Sequence, residues 1–371
     1  MKKIELVEVY FGNNKVGRLA QTREGICAFE YDTNYLTNGI SISPFELPLK
    51  NGVMMAKRHP FGGNFGVFDD CLPDGWGLLV LDRYLQKQGI QPKTVSILDK
   101  LSLVGSAGRG ALEFRPDQSV MNNDEAVNFE LIATETKKIL ANNTYQGDSI
   151  ETLYHQGGSP GGARPKVFTK FDGKEWLVKF GALSDPTNIG QIEYEYSLLA
   201  KKCSIEMPET RLFENKYFGV ERFDRTPQGK LHVVSVAGLL NADYRLPCID
   251  YLSIFQLCQK LTRNVQEMWK LYRLMVFNYL IENKDDHAKN FAFILRNKEW
   301  FLSPAFDILA GDGINGYHTT SINDSIIPTK QDLLTVAEKV GLETKKATEI
   351  FNEMFDIINS SPIVNNKLSF L

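Results

Sequence analysis

Asn283-Lys284-Asp285-Asp286-His287-Ala288-Lys289-Asn290, followed by Ser303-Pro304-Ala305-Phe306-Asp307-Ile308-Leu309, is the stretch on which the reading of this chain turns. It delivers a carboxylate, an amide and a second carboxylate in fixed order. Asp285 and Asn290 stand five apart in a polar loop, and the apolar runs Phe291 to Leu295 and Trp300 to Leu302 predict a hairpin returning the chain at Asp307. Asp-x4-Asn is the spacing of a kinase catalytic loop. There the Asp receives the proton of the acceptor hydroxyl, the Asn holds a metal ion, and the later Asp supplies the other magnesium ligand. Magnesium takes one or two protein oxygens and leaves its remaining positions to phosphate and water, so a sparse set suffices. The chemistry implied is phosphoryl transfer from ATP with Mg2+, Asp285 serving as base and Asn290 and Asp307 as metal ligands. Asp286 is the rival acid, since adjacent acids in loops are commonly solvated or cap a helix; the five-residue step selects Asp285. The remaining histidines, His59, His155, His232 and His318, are isolated along the chain, so His287 reads as a loop-orienting residue at the nucleotide site rather than a metal ligand.

Working outward, Glu267 to Leu280 is nearly all apolar, as a buried central helix ending at the catalytic loop would be. Upstream lies Gln156-Gly157-Gly158-Ser159-Pro160-Gly161-Gly162-Ala163-Arg164-Pro165-Lys166. Its glycines permit positive φ and close backbone approach to a ligand, although Gly and Pro cluster in most surface loops, so this feature alone is weak. Arg164 and Lys166 read either as solvated charges or as lining for a phosphate pocket. Asp172-Gly173 between two β-rich runs predicts a hairpin, with Lys179 inside its second strand between Val178 and Phe180. Burying an ammonium is costly unless an anion meets it; the alternative is an edge strand with Lys179 on its wet face. A helix over Asn188 to Cys203 carries Glu193, which alone reads as a solvated helix residue. The order of the parts is what weighs: Gly-rich loop, hairpin with Lys179, helix with Glu193, two strands, helices, Asp285-x4-Asn290, Asp307.

The remainder bounds the class. A chain of 371 residues with 43% apolar and 23% charged residues can bury a large core in two or three parts. Its net charge of −3 does not suggest nucleic-acid binding over the whole surface. The five cysteines are odd in number and hold no Cys-x-x-Cys pair, which speaks against a disulfide framework or zinc site and for a reducing, cytoplasmic setting. The N-terminus carries no apolar run long enough for a signal peptide or membrane span. Residues 1 to about 31 predict a β-meander, Asp69 to Gly89 a turn and helix, and 124 to 140 a second helix, with Asn- and Gly-rich sequence near 145 marking a plausible boundary.

Together, Ser159-Pro160-Gly161-Gly162-Ala163-Arg164-Pro165-Lys166, Leu177-Val178-Lys179-Phe180, Val220-Glu221-Arg222-Phe223-Asp224-Arg225, Asp285-Asp286-His287-Ala288-Lys289-Asn290-Phe291 and Pro304-Ala305-Phe306-Asp307-Ile308 resemble the HipA serine/threonine kinases, toxins of bacterial toxin–antitoxin pairs. The resemblance implies an α+β, bilobal protein-kinase-like fold: a small N-terminal β subdomain over 1–105, a kinase N-lobe over 106–245 and a mainly helical C-lobe over 246–371. It implies that Lys179 contacts ATP phosphates with Glu193 as its helix partner, and that the loop residues Ser159, Gly161, Gly162, Ala163, Arg164 and Lys166 surround the nucleotide. Glu221 and Phe223 are then expected at the hinge beside adenine, and Ser159 matches the family's autophosphorylated serine. The implied partners are a protein substrate such as an aminoacyl-tRNA synthetase and a HipB-like DNA-binding antitoxin, with DNA reached only through the antitoxin and no membrane. Two other readings stay open: a lipid or small-molecule kinase, since phosphatidylinositol kinases share Asp-x-His-x-x-Asn, and a kinase-shaped co-repressor without activity.

Overall fold

The computed structural model describes residues 3–120, 127–142, 147, 149–157, 162–313 and 316–367. They fall into two compact units. The first comprises Met1–Gln191, Arg211–Val234 and Gly238–Asn241; the second comprises Ile192–Thr210, Ser235–Ala237 and Ala242–Leu371.

In the first unit, alternating burial builds the expected meander: β1 (Leu6–Phe11), β2 (Asn14–Gln21) and β3 (Cys27–Tyr31) are antiparallel neighbours. The short β4 (Met54–Met55) and β5 (Leu112–Arg115) complete a sheet of order β4-β3-β2-β1-β5. Phe29, Phe65, Phe68 and Phe114 are fully buried, with Phe68 in ring contact with each of the other three. A second sheet holds β6 (Lys166–Phe171), β7 (Lys174–Lys179), β8 (Thr210–Phe213) and β9 (Tyr217–Glu221) in the order β6-β7-β9-β8. The Asp172-Gly173 turn has φ of 52° and 73°, the left-handed pair that a two-residue hairpin needs.

Helix Gly75–Lys87 packs Trp76, Val80, Leu81 and Leu85 into the same apolar cluster as Val167, Trp176 and Val178 of the second sheet. Helices Phe129–Ala141 and Ser149–Gly157 add Ile132, Ile139, Ile150 and Leu153 to it. One core therefore draws on residues from both sides of positions 105 and 145. The helix expected from about 124 is seen from Phe129, because the Asn128 side chain accepts from Leu131 N at 3.0 Å and caps it there.

The second unit is mainly helical. Helix Tyr251–Thr262 is capped by Asp250, and Arg263 ends it in the left-handed conformation. Helix Val265–Leu280 follows, with Leu271, Tyr272, Met275, Val276 and Phe277 fully buried, which is the central position its sequence predicts. Helices Lys330–Lys339 and Thr344–Asn359 complete it. The predicted hairpin is present as Ala292–Arg296 against Glu299–Leu302, and Glu267 secures it by accepting from Leu302 N at 2.8 Å.

Candidate active site

In the second unit the loop after the central helix is fixed from its backbone outward. Asn283 N bonds Asn278 O at 2.9 Å, and Lys284 N and O bond Gly311 O and Thr319 N at 3.1 Å each. Asp285 is exposed and Asp286 is 0% exposed. Asp286 accepts from the backbone N–H groups of Thr319 (3.0 Å) and Thr320 (3.2 Å), from His318 Nδ1 (3.1 Å) and from the Tyr251 hydroxyl (3.3 Å). Burial, then the Asp286 charge, pushes the Tyr251 hydroxyl well above the ordinary phenol range, so it remains a donor. The two adjacent acids are thus divided between an anchored, buried carboxylate and an exposed one.

His287 caps the one-turn helix Ala288–Asn290, its Nδ1 accepting from Lys289 N at 3.3 Å, and its ring lies 5.7 Å from that of Tyr244. Lys289 sits over the same tyrosine, 4.3 Å from its centroid. Asn290 Nδ2 donates to the Asp285 carbonyl at 2.8 Å. A carbonyl can only accept, so the amide orientation is settled and Oδ1 is the Asn290 atom suited to a hard cation. Asp307 is half-buried and has φ of +53°, a conformation Asp tolerates better than most residues and one found often at functional sites. One amide oxygen and one carboxylate suit Mg2+ completed by phosphate and water. No cluster of three or more His, Cys, Asp and Glu side chains able to hold a metal occurs among the described residues.

In the first unit, Lys166 and Lys179 are direct partners across β6 and β7, and both are buried, at 4% and 7% exposure. Opposed residues share a sheet face, and burying an ammonium is costly unless an anion meets it. Lys179 Nζ lies 5.7 Å from the Phe218 ring centroid. The edge-strand alternative, with Lys179 on a wet face, is therefore set aside.

Arg164 is paired, its Nε and Nη2 each bonding Asp185 at 3.2 Å, while its side chain stays partly exposed. Ala163 is exposed, and Ser159 and Gly161 lie outside the described residues. Glu193 is buried, against the solvated reading of its helix position. Glu221 receives Lys174 Nζ at 2.8 Å and Phe223 is half-buried.

Two features escaped the sequence reading. The first is a grip on Gly162 by the start of helix Gly75–Lys87: Gly162 N donates to Asp74 Oδ1, and Trp76 N donates to Gly162 O at 3.0 Å. A Cβ on Gly75 would stand 2.5 Å from Gly162 O. The second is a clasp where β9 ends. Asp224 accepts from Arg222 Nε (3.1 Å) and Nη2 (2.9 Å), Arg225 Nη1 (2.9 Å) and Gly110 N (2.7 Å). Burial alone would raise its pKa, but the two guanidiniums outweigh this and hold the carboxyl well below the usual carboxylate range. The grip joins residues 88 apart in sequence; in the clasp Arg222 and Arg225 flank Asp224, and only Gly110, 114 residues away, is distant. Among the described residues no helix is long and apolar enough to cross a membrane.

A family model of the HipA-like C-terminal domain matches residues 158–361, and one of the HipA N-terminal domain matches residues 7–115. Y4dM, a Sinorhizobium fredii protein named as a kinase, is 23% identical over 383 residues, spanning 95% of this chain and 90% of its own. A chain from the Shewanella oneidensis toxin–antitoxin complex of HipA, HipB and operator DNA superposes with a TM-score of 0.71 at 17% identity, covering 98% of this chain and 91% of its own. The fold is the kinase-like one expected.

Proposed function

The chain belongs to the HipA family, and on that premise we propose that it is an ATP-dependent serine/threonine protein kinase, the toxin of a toxin–antitoxin pair. The observation that carries this reading is the catalytic loop: Asp286 is buried under four donors while Asp285, next to it, is exposed and Asn290 is tied to the Asp285 carbonyl. A co-repressor without activity has no use for an exposed acid held so firmly.

Magnesium-bound ATP, when present, supplies the phosphoryl group and neutralises the charge that builds on it. Asn290 Oδ1 and the Asp307 carboxylate would hold the metal. Lys179, with Lys166 opposite, places positive charge on the phosphates, and Glu193 is the helix acid that the kinase pattern pairs with such a lysine. Backbone groups of Glu221 to Phe223 would meet adenine, the Glu221 side chain being paired with Lys174. The Asp285 carboxylate accepts the proton of the attacking hydroxyl. The acceptor is a translation component such as an aminoacyl-tRNA synthetase, and a HipB-like antitoxin links the kinase to DNA.

Ser159 is the autophosphorylation site that limits activity: a phosphate there adds about −1.5 to −2 charges and three acceptor oxygens. It would compete with ATP for the loop amides and for Lys179. Transfer to it occurs between molecules. Mixing an Asp285→Ala protein with active enzyme and ATP, then mapping phosphosites by mass spectrometry, tests both points. Phosphate on Ser159 of the inactive partner is expected. Its absence rejects the intermolecular route, and a fully phosphorylated protein that binds ATP normally rejects the switch.

A further inference from the structure

Asp286 is more than the unused neighbour of Asp285. A carboxylate offers about four lone-pair sites, and four donors take them: Thr319 N and Thr320 N on Oδ1, His318 Nδ1 and the Tyr251 hydroxyl on Oδ2. The Tyr251 oxygen in turn accepts from Asn278 Nδ2 at 3.1 Å, and Asn278 Oδ1 accepts from Asn283 Nδ2 at 3.0 Å. One buried charge thus joins the first residue of one helix, the last turns of the central helix, and the segment that follows Asp307.

The backbone repeats the pattern. Lys284 O accepts from Thr319 N and Oγ1, Asp285 O from Asn290 Nδ2, and Asp286 O from Thr320 Oγ1. Three consecutive carbonyls centred on Asp285 are each held by a different residue. The backbone that carries the Asp285 carboxylate is therefore fixed on both sides of it. A buried charge is an expensive way to fill space, and its use here coincides with the exposed acid whose direction matters.

We infer that Asp286 is a positioning residue, which clamps His318-Thr319-Thr320 onto the catalytic loop and so fixes the direction of Asp285. The inference rests on the kinase reading above.

The full chain with Asp286→Asn tests this, because Asn keeps the shape and one acceptor oxygen while losing the charge. We expect a folded protein whose amides over 284–290 and 318–320 exchange with solvent at least about tenfold faster. The kcat for transfer to a protein acceptor should fall about tenfold to a hundredfold, as small misplacements of a catalytic group do, with KM for ATP within about twofold. His318→Asn, which keeps a donor at the Nδ1 position, should recover most of what His318→Ala loses; this pair serves if Asp286→Asn does not fold. If the wild type transfers phosphate and Asp286→Asn matches it in kcat and exchange, the clamp is refuted and the kinase reading stands. If the wild type transfers none, the kinase reading falls and the catalytic half of the inference with it, while unchanged exchange in Asp286→Asn would refute the ordering half separately.

Discussion

Removing the Asp224 carboxylate is the sharpest test of how the first unit is built. Its four donors are three guanidinium nitrogens and one backbone N–H, all within 3.1 Å, and it is fully enclosed. Asp224→Ala leaves Arg222 buried without its nearest counter-charge and strips Gly110 N of an acceptor. Arg222 and Arg225 keep Glu175 at 3.4 and 3.5 Å and the Gly108 carbonyl at 3.1 and 2.6 Å, so the guanidiniums are not wholly abandoned. Breaking a buried pair by deleting one partner costs about 3–5 kcal/mol. At about 2–4 °C per kcal/mol for a unit of this size, Tm should fall by about 6–20 °C. Asp224→Asn, which still accepts from Gly110 N, should lose less. The pH dependence has a definite sign. The folded carboxyl lies below its unfolded value of 3.8, so its stabilisation is complete above that pH and fades as pH falls toward the folded pKa. Thermal melts followed by circular dichroism at neutral pH and near pH 3 measure both effects. A Tm within about 2 °C of wild type for Asp224→Ala would refute the clasp.

Gly162→Ala puts a Cβ 2.6 Å from Lys166 Nζ at a φ of +92°; it should cost about 1–3 kcal/mol through backbone strain and weaken ATP binding, both readable by melting and calorimetry. Lys179→Ala should weaken ATP binding in the same titration with little loss of Tm, since its charge is expected to serve the phosphates. His232 is buried, with Nε2 on Ile42 O at 2.8 Å, and burial pushes its pKa down to about 4 against the ordinary 6.5. The unfolded chain therefore binds the proton first, so stability should decline as pH falls from about 6.5 to about 4 and hold level above; a His232→Gln protein should lack that slope.

Much of this molecule was legible before any coordinates. Asp172-Gly173 carried its own turn geometry, the apolar run of the central helix its burial, and Asp285-x4-Asn290 its loop, because each is a local pattern. Glu193 and Arg164 were harder: whether a helix acid or a loop arginine is buried or paired depends on what folds against it. Asp74 and Asp286 were illegible as anchors, since their partners stand tens of residues away, and Asp224, although Arg222 and Arg225 flank it, gives no sign of Gly110. An acidic residue in a polar loop looks the same whether it faces water or four donors. The order of elements conveyed the kinase-like fold; the contacts that hold the site had to be seen.

The claim on which the rest depends is transfer of phosphate from ATP. The direct measurement incubates the purified full chain with γ-labelled ATP and magnesium beside Asp285→Ala and Asp307→Ala, and follows label on the protein itself and on added protein acceptors. The account predicts labelling by the wild type that chelating the metal abolishes, and a loss of at least about a hundredfold in each variant with the fold retained. Label transfer by Asp307→Ala at the wild-type rate, or none by the wild type, would contradict it.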